Sequence, residues 1–291
     1  MSHVVSLIAR PGALDYAAVD ALRNAWGGGD AVWLSPDEAA EFLLARVPDN
    51  GPQVWRDFQA MGVDLAIHPA ANRRKKMLIA DMDSTMIEQE CIDELAAEAG
   101  VGEKVAAITA RAMNGELDFE AALDERVALL EGLEAGIIDK VLAERITFMP
   151  GGRALVRTMK AQGAYAALVS GGFTAFTARV AEALGFDETR ANTLGIEGGR
   201  LTGRVARPIL GREAKFDALD EITQRLGIGR DDVIAVGDGM NDLTMLANAG
   251  IGVALHGKPA LQAECDVCVN HVDLTALLFL QGYRRDEFVT G

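Results

Sequence analysis

The sequence predicts an α/β protein: a doubly wound parallel sheet with a helical cap insert, preceded by a small α+β domain. Three observations carry that expectation. From Met77 onward, short apolar runs alternate with amphipathic helical runs and end on aspartate, serine or glycine. Between Thr85 and Pro150 the short apolar runs vanish and only helical periodicity remains. Before about residue 70, strand and helix signals alternate at much closer spacing, the habit of a small sandwich.

Taken in order, residues 4–9 read as a strand and 16–26 as a helix closed by Gly27-Gly28-Gly29. A strand follows over 31–34, helices over 36–44 and 54–61, and a last strand over 63–67. This layout, over residues 1–70, is similar to a ferredoxin-like or ACT-like module, regulatory or dimerising; no glycine-rich ligand motif accompanies it. Residues 71–291 form the larger domain. Its strands are expected at 77–80, 165–169, 233–236, 251–254 and 267–269, with helices at 152–162, 175–184, 215–226 and 242–249 between them. The insert, at about 87–148, should hold helices over 87–99, 101–113, 119–130 and 136–144. Because it leaves and rejoins the chain near a strand end, it is placed to act as a lid. Residues 192–205 alternate around Glu197-Gly198-Gly199-Arg200, the pattern of a β-hairpin.

Composition narrows the function classes. The 291 residues carry a formal charge of −15, with 49% hydrophobic and 24% charged residues. Such a balance speaks against nucleic acid as the main partner, since phosphate backbones are met by basic faces. The one basic run, Arg73-Arg74-Lys75-Lys76, reads as a solvated segment ahead of a strand. No apolar stretch approaches the roughly 18 residues of a membrane helix, so no membrane partner and a cytoplasmic location are expected. Three cysteines fit a reducing compartment. Cys265 and Cys268 have CxxC spacing but no second ligand pair, and read as buried strand cysteines instead of a zinc site.

Four segments carry chemistry. Asp81-Met82-Asp83-Ser84-Thr85 follows the first large-domain strand, and carboxylates two residues apart on extended backbone share a face. Val169-Ser170-Gly171-Gly172-Phe173 offers a hydroxyl and glycine amides at a helix start, a cradle for phosphate oxygens. Lys215 supplies a point cation. Gly237-Asp238-Gly239-Met240-Asn241-Asp242 closes another strand with an acidic loop. In a doubly wound sheet these strand ends face one crevice.

In this order, the four segments resemble the haloacid dehalogenase superfamily of phosphohydrolases, a Rossmannoid (HAD-like) fold, and within it the phosphoserine phosphatases. The resemblance runs from about Lys75 to Asp273 and enters the insert through Glu88-Gln89-Glu90-Cys91-Ile92-Asp93, Phe119 and Arg126-Val127-Ala128. It implies Asp81 as the nucleophile that forms an aspartyl-phosphate, and Asp83 as the acid and base. It implies Mg²⁺, held by Asp81, the Asp83 main-chain carbonyl and Asp238, with Asp242 nearby. Ser170, Gly171, Lys215 and Asn241 would bind the phosphoryl group; Glu90 would take a substrate ammonium, Arg126 its carboxylate, and Met113 and Phe119 would wall the pocket. Met82 replaces the usual aromatic residue and should point into the core. The implied activity is Mg²⁺-dependent hydrolysis of O-phospho-L-serine, with no nucleic acid or membrane partner; a homodimer is allowed but not required. Two alternatives stand beside it: action on a related small phosphoester such as phosphohomoserine, and a non-catalytic phosphoserine sensor.

Overall fold

A computed structural model describes residues 2–113 and 116–290. The elements in chain order are β1 (His3–Ala9), α1 (Tyr16–Trp26), β2 (Val32–Ser35), β3 (Ala39–Leu44), α2 (Gly51–Ala60), β4 (Val63–Pro69) and β5 (Met77–Ala80). The insert contributes α3 (Cys91–Glu98), α4 (Gly102–Met113), α5 (Phe119–Ala128) and α6 (Ile137–Glu144). Then come α7 (Gly152–Ala161), β6 (Tyr165–Phe173), α8 (Thr174–Leu184), β7 (Glu188–Asn192), β8 (Leu194–Glu197), β9 (Arg200–Val205) and α9 (Arg212–Leu226). The chain closes with β10 (Val233–Gly237), α10 (Leu243–Ala247), β11 (Ile251–Leu255), α11 (Pro259–Gln262), β12 (Val267–Val269) and α12 (Ala276–Leu280). None of the described helices is long and apolar enough to cross a membrane.

The larger sheet has the order β12-β11-β10-β5-β6-β7, and β10 with β11, β11 with β12, and β6 with β7 run parallel. The winding runs outward from β5 in one direction through β6 and β7, then in the other through β10, β11 and β12. Asp81 directly follows β5 and Asp238 directly follows β10, the strands at which the winding reverses. The central strands are buried on both faces, which explains their unbroken apolar runs: all of Met77–Ala80 and Val233–Gly237 is buried. β7 escaped prediction because an edge strand reading Glu-Thr-Arg-Ala-Asn has almost no buried face to announce it.

By contact density the chain forms two units. One comprises Met1–Ile79, Pro150–Ala166 and Leu219–Gly291; the other comprises Ala80–Met149 and Ala167–Ala218. The second unit holds the insert. Its two stems meet through Glu88 N–H to Thr147 O (3.0 Å) and Met149 N–H to Met86 O (3.0 Å), with an isolated bridge between Ile87 and Phe148. That pairing is why the first insert helix begins at Cys91 and not at residue 87.

In the first unit, residues 3–69 form a βαββαβ module whose antiparallel sheet has the order β2-β3-β1-β4, a ferredoxin-like arrangement. One expectation is corrected here: residues 36–44 are not a helix. Asp37 sits at φ +53°, which halts helical propagation, and Ala39–Leu44 becomes a central strand paired with β1 and β2. Ala40, Phe42 and Leu44 then enter the module's core with Val5, Leu7 and Leu65. Strand pairing on both sides has overridden the helix propensity of Glu-Ala-Ala-Glu-Phe-Leu-Leu.

The module is bolted to the rest of its unit by buried carboxylates. Asp64 accepts from the Asn270 N–H (2.9 Å), the His271 N–H (3.0 Å) and Gln59 Nε2 (3.0 Å). Glu38 pairs with Arg285, and Glu41 with Arg73. The basic run is solvated as expected at Arg74 and Lys76, but not at Lys75, and Arg73 is half-buried. Lys75 is buried with its Nζ donating to Asp231 O at 2.7 Å, Arg74 reaches Glu287 at 2.7 Å, and Lys76 lies 3.2 Å from Asp232. His68 is buried as well: Nδ1–H donates to Pro69 O (3.2 Å) and Nε2 accepts from the Ser6 hydroxyl (3.1 Å). Burial, reinforced by the Arg73 charge, pushes its pKa down to about 4.

Two outcomes follow for stability. Asp64→Ala leaves two part-buried backbone donors without their acceptor and should cost about 1–3 kcal/mol, read as a lower urea midpoint with unchanged m; an unchanged midpoint would rule out this anchoring. His68 binds a proton more readily unfolded than folded, so its contribution is complete above its ordinary pKa near 6.5 and is lost as pH falls toward about 4. Denaturation midpoints measured across that window should fall with pH, and His68→Gln should flatten the dependence.

Candidate active site

The loop after β5 is shaped by one carbonyl. Met82 O accepts from the N–H groups of Met86 (2.9 Å), Ile87 (3.1 Å) and Thr85 (3.3 Å), doubling the chain back, while Ser84 turns through φ +52°. The Met82 side chain is fully buried, as its alternation with the two aspartates requires. Asp81 is thereby fixed: Oδ1 accepts from the Met82 N–H (2.7 Å), and Oδ2 lies 2.7 Å from Lys215 Nζ on α9. The side chains of Asp81 and Lys215 are only 5% and 1% exposed, so the ion pair is shielded from water.

Asp83 is held by donors from two other segments. Oδ1 accepts from the Cys91 N–H at 2.8 Å, the Cys91 thiol also hydrogen-bonds to the carboxylate, and Oδ2 accepts from Ser170 Oγ at 3.2 Å. Ser170 Oγ in turn accepts from the Gly172 N–H at 2.9 Å. Burial of the Asp83 carboxyl, and then the neighbouring Asp81 charge, push its pKa up to about 6 against the pull of those donors. A carboxyl so poised exchanges a proton near neutral pH. A Cβ at position 172 would collide with Asp83 Oδ2, so any side chain there would have to displace the carboxylate from its donors.

Phe119, at the start of α5, lies over the same segment, with Cζ 3.1 Å from where a Gly171 Cβ would stand. The buried Asn192 clamps the segment from the other side. Its Nδ2 donates to Gly171 O (2.8 Å) and Leu210 O (3.1 Å), and its Oδ1 accepts from the Leu210 N–H (2.7 Å). The insert adds Glu90, whose Oε1 accepts from Ser84 Oγ at 2.8 Å, and Arg126, anchored by Nε to Ala122 O at 3.1 Å. Burial lowers the Arg126 pKa, while Asp93, Glu90 and Asp83 act on it in the opposite sense. The guanidinium and three carboxylates therefore share one electrostatic neighbourhood. The side chain of Met113 lies outside the described residues.

In the loop after β10, Asp238 and Asp242 are buried. Asp242 Oδ2 accepts from the Gly239 N–H (3.1 Å), and a Cβ at Gly237 would strike the Asp242 carboxylate. Lys258 approaches Asp238 Oδ2 at 3.3 Å, and its own N–H donates to Asp238 O (2.9 Å). Asn241 is half-buried in the same loop.

Among the described residues, one set of carboxylates is grouped closely enough for a metal ion: Asp81, Asp238 and Asp242, with ligand oxygens within 4.8 Å of one another. Asp242 stands in this cluster, whereas the Asp83 side chain is turned to Cys91 and Ser170. Three buried carboxylates with all-oxygen donors suit a hard divalent cation such as Mg²⁺, and Lys215 and Lys258 leave negative charge for it to balance. Sequence reasoning assigned no role to Asn192, Cys91 or Lys258. Lys258 alone had a usable signal, a lysine beside a proline just beyond an apolar strand.

The haloacid dehalogenase-like hydrolase model matches residues 78–247. A phosphoserine phosphatase from Streptomyces coelicolor is 45% identical over 256 residues, 87% of this chain and 62% of the relative. One from Methanocaldococcus jannaschii is 40% identical over 206 residues, 71% of this chain and 97% of the relative. The chain spans roughly 55–65% of the length of the first curated relatives it matches. Among solved structures, a HAD family hydrolase from Salmonella enterica serovar Typhi superposes with a TM-score of 0.86 at 29% identity, covering 98% of this chain and 99% of the other. A substrate-bound phosphoserine phosphatase complex gives 0.66 at 40% identity, over 70% of this chain and 97% of the other. With the matched residues spanning both the Asp81 and the Asp238 loops, the chain belongs to the haloacid dehalogenase-like hydrolases.

Proposed function

We propose that this chain hydrolyses O-phospho-L-serine to L-serine and phosphate. The observation that carries the reading is the shielded Asp81–Lys215 pair, 2.7 Å apart, with the proton-carrying Asp83 two residues away. A carboxylate held by a buried lysine is fixed in position, as an in-line nucleophile must be.

In this reading an Asp81 oxygen attacks phosphorus and forms an acyl phosphate, while Asp83 gives its proton to the departing serine oxygen. Asp83 then takes a proton from the water that attacks the aspartyl-phosphate; phosphate leaves and the Asp81 carboxylate is restored. Lys215, Ser170, the Gly171 amide and Asn241 would hold the phosphoryl oxygens. The Asn192 clamp keeps the Gly171 carbonyl turned away from them. Asp81, the Asp83 main-chain carbonyl, Asp238 and Asp242 are the residues that would hold Mg²⁺. When bound, the ion neutralises charge on the phosphoryl group.

Substrate choice falls to the insert. Glu90 and Arg126 present opposite charges suited to an α-ammonium and an α-carboxylate, and Phe119 would wall the pocket with Met113. Relatives that carry the name phosphoserine phosphatase support the choice of phosphoester. The βαββαβ module over residues 1–70 is read as ACT-like, a reading its strand order supports, and a regulatory or dimerising role goes with that reading.

Phosphate release from L-phosphoserine should require Mg²⁺ and vanish with chelator, and Asp81→Asn should abolish it at any Mg²⁺ concentration. Turnover that survives Asp81→Asn would sink the nucleophile assignment. Arg126→Ala should lower kcat/KM for L-phosphoserine by about 2–5 kcal/mol, the cost of unpairing a desolvated charge. Turnover of phosphoethanolamine, which has no carboxylate, should change little; equal losses on both substrates would assign Arg126 a structural role instead.

A further inference from the structure

Away from the catalytic residues, the second unit carries a groove of about 510 Å³ between α6 of the insert and α8. Leu142, Ala143, Ile146, Phe148 and Val180 line it, with Asp139 and Arg179 among its polar residues. Its volume falls in the range of small-molecule sites, about 300–1,000 Å³. Phe148 is 41% exposed, a large apolar side chain left partly open to solvent.

The charges say what would fit. The Arg179 guanidinium and the Asp139 carboxylate stand 3.7 Å apart, with side chains 64% and 76% exposed. Two charges this far apart in water attract by about 1 kcal/mol, so little opposes their separation. A simple anion drawn to Arg179 would be repelled by Asp139, and a simple cation would meet the reverse. A zwitterion with both charged groups on one carbon satisfies both. Beside the charged pair, the walls are apolar, and Phe148 favours a ring it can meet edge-to-face or offset.

We infer that this groove binds a free aromatic amino acid, its α-carboxylate on Arg179, its α-ammonium on Asp139 and its ring against Ile146 and Phe148. The site is separate from the residues assigned to phosphoester hydrolysis. It is nonetheless connected to them through the fold: α8 starts at Thr174, directly after Gly171-Gly172-Phe173, and α6 belongs to the insert that carries Arg126. An occupant would bridge the two helices.

Calorimetric titration of the full chain with L-phenylalanine is the test, and saturable heat is expected. 3-Phenylpropionate and phenethylamine, each lacking one charge, should bind more weakly by about fivefold, the ceiling for an exposed ion pair. Arg179→Glu reverses the cation, and Ala143→Trp fills the groove from an exposed position; both should remove the heat while the circular dichroism spectrum stays that of the wild type. Absence of saturable heat with L-phenylalanine and L-tryptophan would overturn the proposal. So would heat that persists in a folded Arg179→Glu variant, or heat lost when O-phospho-L-serine saturates the protein, which would place the amino acid in the substrate site.

Discussion

The buried ion pair between Asp81 and Lys215 is the constraint around which this site is organised. Neither charge reaches water, so each must be satisfied by protein or ligand. Removing one partner of such a pair costs roughly 3–5 kcal/mol, because the survivor stays buried and unmatched. The same residues therefore bear on stability and on chemistry. With Asp238 and Asp242 in the carboxylate cluster, lysine charge alone does not balance the site, and the remaining charge suits a hard divalent cation.

The second carboxylate has a different environment, and the difference divides the labour. Asp83 has backbone, thiol and hydroxyl donors where Asp81 has the Lys215 ammonium, and burial and the Asp81 charge raise the proton affinity of Asp83. Two aspartates two residues apart thus acquire different surroundings, which suit them to the opposite tasks proposed for them. The space for this is tight. Gly172 has no room for a side chain against Asp83, and Gly237 none against Asp242, so two glycines in separate loops serve the carboxylates by what they lack.

The amino-terminal module shows how polar side chains help to join a small sheet to a larger fold. Asp64, Glu38 and Glu41 reach across to backbone amides and to Arg285 and Arg73, all within one compact unit. Buried polar contacts of this kind specify one docking geometry, since any other leaves a carboxylate or an amide without a partner.

Much of this was legible in the residue order. Strands β5 and β12 lie at their expected bounds, and the catalytic loops stand out because strand-end aspartates and glycines interrupt apolar runs. What sequence could not supply was anything that depends on partners distant in the chain. Residues 39–44 carry a helix former's composition and become a strand because β1 and β2 flank them. Arg73 and Lys75 look solvated until Glu41 and Asp231 are brought to them. Asn192, on a polar edge strand, gains its role only where the chain returns at Leu210. The pair of carboxylates at Asp81 and Asp83 was determined by sequence alone, as a spacing that puts both on one face of extended backbone. Which of them is held by a buried lysine and which gains proton affinity was decided only by tertiary structure, because partners and burial are properties of the folded environment.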